Sequence, residues 1–477
     1  SKLSQQSETA IQDMKAAISA IRKISGYENF LDRPSFRDIA AGVQSDQPLV
    51  YIAPTPNGSV ALIIHQEPIA NQTVVSSLWL DTLTDTVLSE LIANSDEDIE
   101  GWFGTYKKLK IAYTNFGKAE DVLKAAKESK DDKTIIESQK ALGEEQKALS
   151  EVQKAWLDQI DRVIRQLWNL VMNPVCDFLT ELEVTQAVLI PTGLLGLLPL
   201  HAAWTVDATC PTGRRYAVDT IQFSYIPNAQ SLQAARAIAD RTPAHSLLAV
   251  DEPRPTTASE LPNSGHEVQT AITASPNHTL LRHEQATRSA IQALLPQHTA
   301  LHFSGHGFAQ IDSPLDSGIV MANDEILTLR DLLNLKLPGL RLAILSACET
   351  GLPGTQLPDE VISLPTGLLQ AGVAGVVASL WSVADISTMM LLIRFYDFWQ
   401  GQNHSPTASL CQAQQWVRDT TNGEKLTYVQ NLMQKHPAST IPEPTVDYLY
   451  KSLVLAPANE RDFAHPFYWA AFSHVGV

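Results

Sequence analysis

The sequence lacks the marks of several protein classes. Among its 477 residues there is no run of about 18 apolar residues, so no transmembrane helix is predicted. The N-terminal segment has no apolar core of the kind that a signal peptide requires. The four cysteines are too few and too scattered for a disulfide framework, which favours a reducing, cytoplasmic environment.

The chain also has fewer basic than acidic residues. Lys and Arg together number 35 against 52 Asp and Glu, so the net charge is −17. No basic run interrupts this balance, and the average field of the chain repels a nucleic-acid backbone. We therefore expect no direct contact with nucleic acid or with a membrane.

The chain does contain ordinary globular material, with helical and β-hairpin patterns near its start. Hydrophobic residues make up 44% of it, which is enough for large cores. Residues 1–34 predict a polar amphipathic helix without a core of its own, as at the end of an upstream helical repeat region. Two β-branched runs on either side of Pro56-Asn57-Gly58 then predict a β-hairpin.

A long helical hairpin is predicted between about residues 96 and 173. Apolar residues recur every seven positions from Leu142 to Leu170, which places them on one stripe of a helix. The charged segment 126–133 interrupts the apolar pattern, so the chain is expected to turn near Asp131. The hairpin is either a helical layer packed on the domain or a coiled coil that binds a partner.

Farther along the chain, strand-like runs alternate with helical patterns. Helix-like segments follow the strand-like runs LLAV and HTLLR, and the strand-like runs TALHFSG and LRLAILSAC come next. This alternation predicts an α/β fold in which helices flank a parallel-dominated sheet on both faces. Ligands and catalytic groups of such sheets lie beyond the carboxyl ends of the strands.

Two of these strand ends carry residues suited to nucleophilic catalysis. One run stops in Gly305-His306-Gly307 and another in Cys348, and neighbouring parallel strands would bring the imidazole near the thiol. The glycines allow a sharp turn that leaves His306 exposed. A thiol needs a nearby base to become a nucleophile, and a histidine can afterwards protonate the leaving amine. Taken alone, each residue is more often structural, the cysteine as a small buried hydrophobe.

A metal site is the other interpretation of the histidines, because His302 and His306 are four residues apart. Gly305 and Gly307 disfavour the helix that would place both imidazoles on one face, and no acidic third ligand lies at a helical offset. We therefore predict neither a metal nor a cofactor. On an extended strand, His302 would share a side with His306 and would line the site, orient the base or pack in the core.

The combined pattern resembles the CHAT family of caspase-like cysteine peptidases, in the clan of caspases and separases. HFSGHG is similar to the catalytic-histidine motif of that family, and ILSACETG is similar to its catalytic-cysteine motif. The segment that follows the cysteine in the family resembles PTGLLQAGVAGVVASLWSVAD. Further blocks resemble IPTGLLGLLPLHAAW, LLAVDEP and FYWAAFSHVG. Together these cover roughly residues 35–477.

The resemblance implies two caspase-like halves in tandem, an inactive one over 35–240 and a catalytic one over 241–477. It also implies Cys348 as nucleophile, His306 as base and then acid, and an oxyanion hole made of the backbone N–H groups of Gly307 and Cys348. The clan requires no acidic third member, so Glu349 is predicted to be a solvated loop residue.

The resemblance also suggests where the P1 side chain of a substrate would bind. In separases an acidic, Trp-containing segment receives a P1 arginine, and here that segment keeps Trp381 and Asp385 without the further acids. Asp385 therefore either pairs with a basic P1 residue or caps the helix expected to start at Ile386. The substrate-binding candidates are Ser379, Trp381, Asp385 and His302, with Asp312 and Asp316 as weaker candidates for the acidic role.

With this resemblance, the sequence predicts a prokaryotic, cytoplasmic cysteine endopeptidase that acts on a protein substrate under the control of a protein partner. The alternatives are a catalytically silent CHAT-fold scaffold that binds a partner, and another acyl transfer on the same two residues. Because an open site would be toxic, at least one of the loops Phe308–Gly318 and Leu352–Asp359 is expected to move or to block the cleft. The charged hairpin around 126–155 is the candidate sensor of the partner.

Overall fold

The computed structural model describes residues 2–25, 34–67, 72–93, 101–310, 312–335, 337, 339–352, 362–382, 385–435 and 441–477. The chain divides into two units, Ser1–Gly42 and Val43–Val477. The described residues of the first unit form two helices. The second of them begins after Ser35, whose hydroxyl accepts the backbone N–H of Asp38 while the Asp38 carboxylate accepts the N–H of Ser35.

The helices of the described chain are α1 Lys2–Ile21, α2 Phe36–Ala40, α3 Asp85–Ile92, α4 Trp102–Ser129, α5 Asp132–Leu167, α6 Asn173–Glu181, α7 Ala217–Thr220, α8 Ala229–Arg241, α9 Ser264–Ala274, α10 Arg288–Leu294, α11 Leu329–Asn334, α12 Leu364–Ala371, α13 Asp385–Tyr396, α14 Pro406–Asp419, α15 Asn422–Lys435 and α16 Glu443–Leu453. Within the part of the chain that the structure describes, no helix is both long enough and apolar enough to cross a membrane.

The strands of the described chain are β1 Leu49–Thr55, β2 Gly58–Gln66, β3 Thr73–Leu80, β4 Gln186–Pro191, β5 Trp204–Val206, β6 Arg214–Tyr216, β7 Gln222–Tyr225, β8 Leu247–Asp251, β9 His278–Arg282, β10 Ala300–Ser304, β11 Gly307–Phe308, β12 Gly318–Val320, β13 Ile326–Thr328, β14 Leu342–Ser346, β15 Gly375–Ser379 and β16 Phe472–Gly476. The predicted hairpin is β1 and β2, which turn at Pro56 and Asn57.

One 11-stranded sheet runs through the second unit in the order β3-β2-β1-β4-β7-β16-β15-β14-β10-β8-β9. The pairs β1–β2, β2–β3 and β15–β16 are antiparallel, and the other pairs of this sheet are parallel. The predicted α/β fold with a parallel-dominated sheet is therefore confirmed. Strands from 35–240 form one side of the sheet and strands from 241–477 form the other. The assignment of an inactive and a catalytic half stays a prediction.

Helices cover both faces of the sheet, as the unbroken apolar runs of its central strands require. Every residue of β8, β10, β14 and β15 is buried. Along β8, Leu247 and Ala249 lie in the core that includes α9 and α13, whereas Leu248 and Val250 lie in the core that includes α10, α11 and α12. The alternation of side chains along a strand thus separates two hydrophobic cores.

The predicted helical hairpin consists of α4 and α5, which turn at Lys130 and Asp131. Lys130 has a left-handed backbone (φ 57°), and the Asp131 carboxylate accepts the N–H of Thr134 at the start of α5. The stripe on α5 is buried from Trp156 onward but only half-buried at Leu142. The base of the hairpin is therefore part of the core, whereas its tip projects away from the sheet.

Candidate active site

His306 and Cys348 lie at the carboxyl ends of adjacent parallel strands. Ser304, the last residue of β10, pairs with Ser346, the last residue of β14. The N–H of Gly305 then donates to the carbonyl of Ser346 at 3.2 Å, so the two chains stay together beyond the strands. His306 and Cys348 each follow two residues after this pair. The register thus brings the two candidate catalytic residues to one edge of the sheet.

Gly307 packs directly against the loop that carries the thiol. A Cβ atom at this position would lie 2.9 Å from Cγ2 of Thr350 and 3.2 Å from the carbonyl oxygen of Cys348. Any larger residue would push the histidine loop away from the cysteine loop. The glycine that follows the histidine is therefore required by the close approach of these two loops.

The imidazole of His306 is oriented by a backbone carbonyl. Its Nε2 lies 2.8 Å from the carbonyl oxygen of Ser259, in the loop between β8 and α9. Because a carbonyl oxygen only accepts, Nε2 carries the proton, and in the neutral ring the lone pair is on Nδ1. The ring is half-buried and is held in the tautomer that a base needs.

The Cys348 thiol has Ser382 as its hydrogen-bond partner, with Sγ and Oγ 3.0 Å apart, rather than His306. Burial raises the pKa of this thiol, and the neighbouring Glu349 carboxylate raises it further. The hydrogen bond with Ser382 and the ammonium group of Lys110 lower the pKa. In this arrangement the thiol is a protonated, half-buried group.

Helix α4 contacts the residues beside the thiol at two points. The hydroxyl of Tyr106 accepts the backbone N–H of Ser382 at 3.0 Å, and Nζ of Lys110 lies 2.8 Å from the carboxylate of Glu349. Glu349 is 4% exposed and has a left-handed backbone (φ 60°). The prediction that Glu349 is a solvated loop residue is therefore wrong, because Lys110 on a distant helix compensates the charge of its buried carboxylate.

A small cavity of about 110 Å³ adjoins the thiol. Its lining includes the carboxylate of Glu267 on α9 and no Lys, Arg or His among the described residues. The hydroxyls of Ser304 and Ser346 donate to one Glu267 oxygen at 2.9 and 2.7 Å, so the carboxylate bridges the ends of β10 and β14. Glu267 is 2% exposed and is the one charged carboxylate among the described residues of this lining.

Ser379 and Trp381, two of the substrate-binding candidates, also line this cavity. The Ser379 hydroxyl donates to the carbonyl of Ala347 at 2.8 Å, and the Trp381 indole N–H donates to the carbonyl of Phe467 at 3.1 Å. Both residues also hold the loops around the cavity in place.

His302 lies in the core rather than in the cavity. Its side chain is fully buried, its Nδ1 is 2.9 Å from the hydroxyl of Tyr396, and burial lowers its pKa to about 4. The structure therefore places it as a packed core histidine, one of the roles that the sequence left open. No cluster of three potential metal ligands occurs among the described residues.

No described contact brings Asp385, Asp312 or Asp316, the acidic candidates for binding a P1 side chain, to the cavity. Helix α13 begins at Asp385, one residue earlier than expected, and the side chain of Asp385 lies outside what the structure describes. Asp316 pairs with Arg330 at 3.1 Å, and Asp312 is exposed. Most of the loop Leu352–Asp359 lies outside the described residues, so its expected movement stays a prediction.

A family model described as the CHAT domain matches residues 161–477, about two thirds of the chain. The chain belongs to the CHAT family. The predicted family is thus confirmed, and the matched region of this CHAT protein includes β10, β14 and the cavity. A comparison with curated protein sequences found no match.

Solved structures similar to this CHAT protein include separase of Saccharomyces cerevisiae in its complex with securin. The match has 10% identity and a TM-score of 0.47, and it covers 92% of this chain and 30% of the separase chain. Another is the complex of the pro- and mature domains of Porphyromonas gingivalis RgpB, with 9% identity, a TM-score of 0.36, and 67% and 68% of the two chains covered. The chain thus spans about a third of the separase that it resembles.

Several residues of the CHAT site carry no signal that distinguishes them in the sequence. Glu267 lies in a segment whose pattern predicts only a helix, and Tyr106 and Lys110 lie in the predicted hairpin. Ser259 contributes through its backbone alone. The signal that could have indicated Glu267 is its helical spacing from Ala271, which places an acidic residue on the buried face of α9.

Proposed function

We propose that this CHAT protein is a cysteine endopeptidase in which Cys348 is the nucleophile and His306 is the base and then the acid. The observation that carries the proposal is the β10–β14 register, which brings the two residues to one edge of the sheet beside a small cavity. The orientation of His306 by Ser259 supports it, because the Nδ1 lone pair is then available to the thiol.

The proposed reaction has two steps. Sγ of Cys348 attacks the scissile carbonyl carbon, and its proton passes to Nδ1 of His306 and then to the leaving amine as the C–N bond breaks. Water then attacks the thioester, with His306 as base, and releases the carboxylic acid and the thiol. The backbone N–H groups of Gly307 and Cys348 are the proposed oxyanion donors, each contributing about 3 kcal/mol to the barrier reduction.

The substrate class is proposed to be proteins with a basic residue at P1. A cationic side chain in the cavity beside Cys348 would meet the buried carboxylate of Glu267 without a competing positive charge in the described lining. We assign this role to Glu267 in preference to Asp385, because Glu267 lines the same cavity as Cys348 and accepts hydrogen bonds from Ser304 and Ser346. The free cysteines of the described chain support action in a reducing compartment such as the cytoplasm.

A protein partner is proposed to control this activity. The thiol is hydrogen-bonded to the Ser382 hydroxyl, and the backbone N–H of Ser382 donates to the hydroxyl of Tyr106 on α4. A partner that shifts α4 would therefore change the position of the nucleophile. Activity of the purified chain alone would then be lower than its activity with the partner, and full activity alone would contradict this control.

A peptidase assay with the dyad variants tests the function. Cys348→Ala and His306→Ala should each abolish cleavage of a basic-P1 peptide, and the double variant should be no worse than either, because the two residues act as a unit. Cys210→Ser, which changes a distant half-buried cysteine, is the matched control and should remain active. Full activity of Cys348→Ala would overturn the proposal, and inhibition by a chelator would favour a metal-dependent reaction.

A partner-binding scaffold without catalysis is the second candidate. The observation in its favour is that the Cys348 thiol is hydrogen-bonded to Ser382 rather than to His306, and that burial raises its pKa. An electrophilic probe distinguishes the two candidates, because a scaffold would show no Cys348-dependent labelling with or without the partner.

A further inference from the structure

A groove lined by lysines runs along helix α4 away from the candidate active site. Its volume is about 570 Å³, within the range of about 300–1,000 Å³ that is usual for ligand sites. One wall is a face of α4 from Phe103 to Lys118. The other wall contains Ala309 and Glu349, which closely follow His306 and Cys348 along the chain. The groove therefore begins beside the catalytic loops.

The α4 wall of the groove is a single stripe. Phe103, Lys107, Lys110, Ile111 and Lys118 recur at helical spacing and all line the groove. From Phe103 to Lys118 the helix rises by about 22 Å, which is the length of about six or seven residues of extended chain. The shape thus fits an extended peptide better than it fits a compact small molecule.

The α4 wall of the groove is positively charged, in contrast to the chain as a whole. The first 17 residues of α4, 102–118, contain four lysines and neither Asp nor Glu, although the net charge of the chain is −17. Lys110 is paired with Glu349, whereas Lys107 and Lys118 are exposed and have no carboxylate partner among the described residues. Ile111 is 52% exposed and adds an apolar contact surface between them.

We propose that this groove binds an extended acidic segment of the substrate, next to the bond that is cleaved. Carboxylates of the segment pair with Lys107 and Lys118, and an apolar side chain between them packs on Ile111. Charge complementarity selects this occupant, because the acidic surface elsewhere repels it. The proposal rests on the proposed peptidase function and adds a second recognition element to the P1 cavity.

Binding can be measured without catalysis on the full chain carrying Cys348→Ala. The probe is a fluorescent peptide of about ten residues rich in Glu with one central Leu, and its reference is the same peptide with Gln for every Glu. The acidic peptide should bind at least about tenfold more tightly, and salt should weaken its binding. Lys107→Glu with Lys118→Glu should reduce its affinity by about tenfold or more.

The matched control is Lys124→Glu with Lys127→Glu, which reverses two exposed charges of α4 outside the groove and should leave the affinity nearly unchanged. Equal binding of the two peptides, or equal losses in the two double variants, would overturn the proposal. Cleavage of a short basic-P1 reporter by the wild-type chain separates the two hypotheses. If the reporter is cleaved but the acidic peptide does not bind, the groove proposal is wrong and the peptidase function stands. If the acidic peptide binds in the groove but no reporter is cleaved, the peptidase function is wrong, and so is the proposal that a substrate occupies the groove.

Discussion

Groups with opposite effects surround the Cys348 thiol. Burial and the Glu349 carboxylate raise its pKa, whereas the hydrogen bond with Ser382 and the charge of Lys110 lower it. The thiolate is the reactive form, so the balance of these groups sets the fraction of nucleophile at a given pH.

Ser382→Ala and Glu349→Gln should therefore shift the thiol in opposite directions. Ser382→Ala removes a contact that lowers the pKa, so the midpoint of the pH–rate profile for alkylation should rise. Glu349→Gln removes a carboxylate that raises the pKa, so the midpoint should fall. The measurement is the iodoacetamide rate against pH, after subtraction of the rate for Cys348→Ala. Shifts of the same sign would mean that these contacts do not control the thiol.

The P1 proposal is tested by Glu267→Gln. The glutamine side chain can still accept from Ser304 and Ser346 but lacks the negative charge, so kcat/KM for Arg or Lys at P1 should fall by about tenfold or more. Asp385→Ala is the comparison, and its effect on kcat/KM should be small. The reverse result would assign the role to Asp385, and a cleavage profile dominated by apolar P1 residues would reject a basic pocket.

Among the elements, an aromatic cluster joins the helical hairpin to the segment that follows β15. Trp102 of α4, Trp156 of α5 and Trp381 after β15 are each at most 2% exposed, with ring centroids between 4.7 and 6.2 Å apart. Edge-to-face contacts of this kind add to the hydrophobic burial. The base of the hairpin therefore packs against Trp381, which also lines the cavity beside Cys348.

Trp156→Ala should lower the free energy of unfolding by about 4 kcal/mol, because it leaves a large cavity in this cluster. Leu142→Ala removes a residue of the same stripe that is only half-buried near the tip, and should cost about 1 kcal/mol or less. Urea unfolding followed by circular dichroism measures both values. Similar losses for the two variants would show that the tip is as much a part of the core as the base.

At the scale of the whole molecule, three buried histidines make stability depend on pH. Burial lowers the pKa of His201 and His302 to about 4 and that of His474 to about 3, below the ordinary value of 6.5. In the unfolded chain these imidazoles bind protons as the pH falls below 6.5, whereas in the folded chain they stay neutral until about pH 4. The unfolded state is therefore favoured progressively across this window.

We expect the free energy of unfolding to fall between pH 6.5 and pH 4, by up to about 3 kcal/mol for each histidine. Between pH 7 and pH 5 most carboxylates remain ionised in both states, so this range isolates the histidines. His201→Gln should reduce the slope, as measured by urea unfolding at several pH values. An unchanged slope in this variant would mean that another group causes the loss of stability.

The sequence by itself determined the features whose signals are local. The turn of the hairpin near Asp131, the strands that end before His306 and Cys348, and the family all follow from apolar periodicity and from short motifs. The position of His306 and Cys348 at one edge of the sheet was also predictable, because parallel neighbours share their carboxyl ends. These signals lie within short stretches of chain, where the period of the side chains determines the local structure.

The tertiary structure alone decided which distant side chains complete the site. Glu267 reaches Ser304 and Ser346 because α9 packs across the ends of β10 and β14, and Lys110 reaches Glu349 because α4 lies against the cysteine loop. A helical pattern specifies which face of a helix is apolar but not which charged group a neighbouring element will present to it. Burial of Glu349 depended on that neighbour, since a carboxylate leaves water only where a cation or donors compensate its charge.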